Sequence, residues 1–163
     1  MTAAELRTLV DGFYREKQAL LLRQAAGAER VSSYDFNNSY QFVVNRAEAQ
    51  VAWLRSALED LGLPVPPREG SVTLPQGGRG AAAERAVIED DARQAHAFVA
   101  GWTPRVAEVT HARHRRMLEV VLGETLEQAR FFDQMLEGRD DLLGRRHANV
   151  GTGGGVLATR WRE

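Results

Sequence analysis

The sequence predicts an all-α protein, a four-helix bundle made of two helical hairpins, and three observations carry that prediction. Isoleucine occurs once and proline five times in 163 residues, so β-rich architectures lack their usual material. Long Ala, Leu, Glu, Arg and Gln segments return apolar residues at every third and fourth position, the period of one helix face. A single stretch rich in proline and glycine divides these segments in mid-chain, as a long connection between two hairpins does.

The first helix opens at Thr2-Ala-Ala-Glu5, a capping box in which hydroxyl and carboxylate satisfy opposite ends of the first turn, and is expected to reach about Ala26. Its inward stripe is Leu6, Leu9, Phe13 and Leu20. The second starts near Ser33 or Asp35, either of which can cap, and stops at Leu61 before Gly62 and Pro64; its stripe is Val44, Val51, Leu54 and Leu58. Residues 63–80, LPVPPREGSVTLPQGGRG, read as an extended surface crossover.

The third helix is expected from about Ala81 to Trp102, with Val87, Phe98 and Trp102 inward. Thr103-Pro104 reads as N-cap and first position of a fourth helix that continues to Glu137 and Gly138, roughly 50 Å at the α-helical rise. Its stripe is Leu118, Val121, Phe132 and Met135 or Leu136. Residues 1–138 thus form the bundle, in up-down, long-connection, up-down order. Residues 139–163 form an irregular tail, partly docked through Leu143, Val156 and Trp161.

Composition excludes several function classes. Cysteine is absent, which removes disulfides, zinc–thiolate sites and thiol nucleophiles and fits a reducing compartment. No apolar run approaches the roughly 18 residues of a membrane span, and MTAAELRTLVDGF lacks the order of a signal peptide, so a cytoplasmic protein with no membrane partner is expected. The net charge of −1 offers no field to gather nucleic acid. Lys17, the only lysine in an arginine-rich chain, reads as a habit of genome composition.

Polar residues on the inward stripes are then the informative ones, because a buried carboxylate is costly unless paired or metal-bound. Glu16 lies between Phe13 and Leu20, Glu48 between Val44 and Val51, and Asp91 between Val87 and Phe98. Thr125 and Gln128 continue the fourth stripe. The spacing of Glu48 from Glu16 nearly equals that of Thr125 from Asp91, which places all of them at one level.

On these residues the chain resembles the ferritin-like superfamily, the bacterioferritins and rubrerythrins. That family binds two iron or manganese ions through one Glu on each of two helices and Glu-x-x-His on the other two. The resemblance implies a ferritin-like four-helix bundle, with Glu16 matching the first-helix Glu, Glu48 the second-helix Glu and Asp91 the third. Val51, Thr125 and Gln128 stand where His, Glu and His belong, so the implied di-metal site is degenerate. Glu124 and Glu127 turn toward the flank unless the fourth helix is rotated.

Two arrangements of this centre follow: a metal-free polar layer satisfied by Tyr, Gln, Thr and Arg, or one ion held by Glu16, Glu48, Asp91 and Gln128. His111 and His114, with His96, allow a three-histidine site but read first as solvated or core-edge residues. Arg113, Arg115 and Arg116 lack the interleaved aromatics of a nucleic-acid surface. The GTGGG of residues 151–155 lacks the Lys-Ser/Thr of a phosphate loop. No catalytic or cofactor-binding residue stands out. The expected function is that of a non-catalytic structural or interaction protein, a homodimer with a possible protein partner at its tail. The alternative is an iron- or manganese-binding redox or iron-handling protein. Trp53, Val120 and Phe131 lie off the stripes and suit the dimer contact, expected between first hairpins.

Overall fold

Thr2 caps the first helix as its sequence demands: its hydroxyl accepts from Glu5 N at 3.2 Å, and Glu5 Oε2 accepts from Thr2 N at 2.6 Å. The computed structural model of the chain describes residues 1–68, 70–76 and 79–143. Within them lie four helices, α1 (Ala3–Ala28), α2 (Tyr34–Asp60), α3 (Ala81–Ala107) and α4 (Ala112–Leu136), and no strand. Most of the tail, including Val156, Trp161 and the GTGGG run, lies outside the described residues. Of its near end, Leu142 packs on the core while Leu143 is exposed.

Ser33 is the cap of α2, accepting from Phe36 N. The helix ends in a Schellman motif: Gly62, at φ 70°, donates to Glu59 O at 2.9 Å, and Leu63 N donates to Leu58 O at 2.9 Å. Gly138 closes α4 in the same way at φ 83°, with Arg139 N donating to Gln134 O. At both positions only glycine adopts the left-handed backbone cheaply.

The boundary between α3 and α4 differs from the expected one. Thr103-Pro104 does not open α4; Pro104 sits inside the last turn of α3, which runs on to Ala107. A proline there loses only the bond its N–H would have given to the carbonyl of Ala100, an exposed residue that water can serve. Continuing the helix seats Val106 beside Trp102 in the core, with Val109 following. The cap of α4 is His111, whose ring nitrogen accepts from His114 N. At 25 residues, α4 is about 38 Å long rather than 50.

Each helix runs antiparallel to the two it packs against. Glu16 meets Trp102 and Arg23 meets Asp90, so α3 runs opposite to α1 and therefore parallel to α2. The order is up, down, down, up, in place of the expected up-down repeat. The described residues that follow α2 return along α1: Leu63 and Val65 pack on the core, Tyr14 Oη donates to Pro66 O and Arg23 Nη1 to Thr73 O.

Apolar burial falls into two clusters. One, around Phe13, Leu54, Phe98, Trp102 and Leu118, is knit by edge-on packing of Phe13 against both Phe98 and Trp102. The other, around Tyr40, Val43, Ile88 and Phe132, lies toward the far end. Polar side chains separate them.

Candidate functional site in the polar core layer

Lys17, Gln24, Gln50, Asp91, Thr125 and Gln128 are among the polar residues buried in and around this layer. In α1 the buried arc runs through Phe13, Tyr14, Lys17, Leu20, Leu21 and Gln24, so its centre falls on Lys17 rather than Glu16. In α2 it runs through Val43, Ala47, Gln50 and Leu54, one position away from the Val44–Glu48–Val51 stripe. The α1 stripe of Leu6, Leu9, Phe13 and Leu20 is buried as expected, with Lys17 rather than Glu16 at its polar position, while α2 faces inward about one residue away from the expected stripe; these facings decide which charge enters the core.

The charge that enters is an ammonium. Lys17, 0% exposed, sends its butyl chain inward and its Nζ donates to Thr125 Oγ1 at 2.8 Å and Gln128 Oε1 at 3.4 Å. Thr125 is free to accept because its own proton goes to Val121 O at 2.7 Å. Burial pushes the Lys17 amine down to about 7, with the Glu124 carboxylate pulling the other way. Glu124 is itself held at the α2–α4 seam, accepting from Gln50 Nε2 at 2.5 Å and from Arg46.

Asp91 does point inward, yet it belongs to a different group. Tyr40 Oη donates to its Oδ2 at 2.7 Å, and Arg23 Nε stands 3.4 Å from Oδ1 while also pairing with Asp90. Burial pushes the Asp91 carboxyl up to about 7 against the Tyr40 hydrogen bond. Burial and the adjacent Asp91 together keep the Tyr40 phenol protonated well beyond its ordinary range.

The expected convergence of Glu16, Glu48, Asp91 and Gln128 is therefore corrected. Glu16 is exposed and accepts from Trp102 Nε1 at 2.7 Å. Glu48 is exposed and stands 3.6 Å from Arg68. Glu124 and Glu127 face the flank, Glu127 pairing with Arg130. Among the described residues no three His, Asp or Glu side chains are grouped so as to hold a metal ion. The interior donors do not fit a divalent cation either, since the oxygens of Thr125 and Gln128 already face an ammonium and a second cation would be repelled.

Sequence reasoning missed Lys17, although a signal was present: the one lysine of an arginine-rich chain lies four residues after Phe13 and three before Leu20. A lysine can lose its proton in the interior, whereas an arginine cannot.

The histidines do not converge. His96 pairs with Asp133 at 2.8 Å on an exposed face. His111 and His114 meet at the start of α4, with 2.8 Å between their Nδ1 atoms. Burial first, then His111 and Arg113, lowers the pKa of His114, with Asp60 opposing. No helix among the described residues is long and apolar enough to cross a membrane.

Compared with protein-family models, curated proteins and solved structures, the chain matches none.

Proposed function

We propose that the chain is a non-catalytic, ferritin-like bundle whose eroded centre is filled by its own cation, and that it acts through its surface as a homodimer. The observation that carries this reading is Lys17: an ammonium donating to Thr125 and Gln128 takes the interior place that ferritin-like proteins give to their ions. A core built this way gains a register mark between two apolar clusters and has no open coordination position. The up-down-down-up order, with Pro66 and Thr73 of the connection lying along α1, agrees with the ferritin-like resemblance.

Function at the surface is supported by the α2–α4 seam. Phe42 (43% exposed), Trp53 (40%) and Val120 (48%) stand on it in solvent, and the Phe42 ring packs edge-on against Phe131 at 5.9 Å. A second copy burying that row across a two-fold axis would remove it from water. Residues 139–163 would add a contact for a protein partner.

The test has two arms. Protein purified with iron and manganese supplied should carry well under one ion per chain, and Lys17→Met should not restore binding. Light scattering at tens of micromolar should give a two-chain mass, reduced to one chain by Trp53→Glu with Phe131→Glu. Near-stoichiometric iron or manganese would instead favour the metal-dependent redox or iron-handling alternative, and a monomeric parent protein would remove the homodimer.

A further inference from the structure

A cleft of 450 Å³ opens between α1, α3 and the strap formed by residues 70–73, on the side of the bundle away from the α2–α4 seam. Its volume lies in the range of small-molecule sites. Leu20 and Phe98 form an apolar floor, and Glu16, Arg23, Ser71 and Gln94 line the walls. The strap is tied down where Arg23 Nη1 donates to Thr73 O at 3.1 Å.

The charges in this cleft do not cancel. Arg23 is spent on Asp90, on Asp91 and on the strap carbonyl. The Glu16 carboxylate is fixed by Trp102 Nε1 at 2.7 Å, a neutral donor that orients it without neutralising it. No described residue makes an ion pair with Glu16, and Arg105, which reaches the same Trp102, is stacked on its ring at 3.6 Å. The side chains of Ser71 and Gln94 make no hydrogen bonds to the described residues and remain available. An oriented, uncompensated carboxylate beside an apolar floor and unspent polar groups matches a ligand that is cationic at one end and hydrocarbon along its body.

We propose that this cleft binds a small amphipathic amine, with its ammonium on Glu16, its hydrocarbon portion on Leu20 and Phe98, and Ser71 and Gln94 taking the remaining N–H groups. An amine in this position also touches the strap, so binding fastens residues 70–73 to α1 and α3. The proposal stands independently of self-association and of the polar layer.

Isothermal titration and thermal unfolding with phenethylamine and hexylamine, against phenylpropionate and hexanoate as matched anions, decide it. Saturable binding of either amine is expected, with neither carboxylate binding. Glu16→Gln keeps an acceptor for Trp102 and removes only the charge, so it should fold like the parent and weaken the amine about tenfold or more, as loss of a charge-assisted hydrogen bond does. Gln94→Ala should weaken it by a smaller factor. Absence of saturable amine binding, equal affinity in Glu16→Gln, or preference for the carboxylates would each overturn the proposal.

Discussion

Gly27 on α1 faces Asp91 on α3 so closely that a Cβ on the glycine would stand 2.6 Å from Asp91 Oδ2, the oxygen that accepts from Tyr40. The same atom would lie 3.2 Å from Val87 Cγ1 and 3.3 Å from Tyr40 Cε1. Glycine is required here by proximity, since the backbone is ordinary helix. The close approach packs α1 directly against the buried hydrogen bond that joins α2 to α3.

Gly27→Ala should therefore destabilise the protein by about 1–3 kcal/mol, although alanine is the better helix former. Denaturant unfolding measures it. In an Asp91→Ala background much of that loss should disappear, because the clashing oxygen is gone; an additive double mutant would show that the contact is not the cause.

The Lys17 ammonium and the Asp91 carboxyl impose opposite pH slopes. Asp91 is raised to about 7 in the fold, so the native state holds its proton longer and stability falls as pH rises from the ordinary carboxylate range toward 7. Lys17 is lowered to about 7, so the native state sheds its proton earlier and stability rises with pH above 7. Together they place a local minimum of stability near neutrality. Tyr40, held protonated, subtracts stability only above its unfolded value of about 10. His114, whose pKa is lowered, opposes Asp91 on the acid side. Comparison with Lys17→Met and Asp91→Asn isolates each slope: the first should flatten the profile between about pH 7 and 9.5, the second between about pH 4 and 7. Unchanged slopes in either variant would reject the assignment.

Thr125→Val keeps shape but removes the nearest acceptor of the ammonium. A loss of about 1–3 kcal/mol is expected at pH 7, shrinking toward pH 9.5 as the amine becomes neutral. In Lys17→Met the same change should be close to neutral. Equal losses in both backgrounds would mean that Thr125 acts through packing alone.

Both amide atoms of Gln24 are buried without a hydrogen-bond partner. Gln24→Met, similar in size and apolar, should stabilise the fold by about 1–2 kcal/mol, read as a higher denaturation midpoint with unchanged slope. A lower midpoint would reveal a hydrogen bond that matters.

Glu48→Gln should change stability by less than about 0.5 kcal/mol, since its contact with Arg68 is half-exposed on both sides. A buried carboxylate would have responded strongly in one direction or the other.

The all-helical architecture was legible in one dimension because it depends on local quantities. The Thr2–Glu5 box, the Ser33 cap and the glycines at 62 and 138 each act within a few residues, and the α3 and α4 faces carrying Asp91, Thr125 and Gln128 follow from unbroken apolar spacing. Pro104 shows where that logic stopped: a proline after threonine reads locally as a helix start, and only the burial of Trp102 and Val106 on one continuous face makes it part of a last turn. The centre of the bundle was not legible for a related reason. Sequence alone determined that polar residues recur on the inward arcs, but each arc spans two adjacent columns, and Glu16 and Lys17 occupy neighbouring ones. Which column faces the axis is set by how α1 and α2 rotate to bring Gly27 against Asp91 and small Ala47 into the core. That rotation is a property of packing across four helices, so the tertiary structure alone decided that an ammonium, rather than a ring of carboxylates, fills the interior.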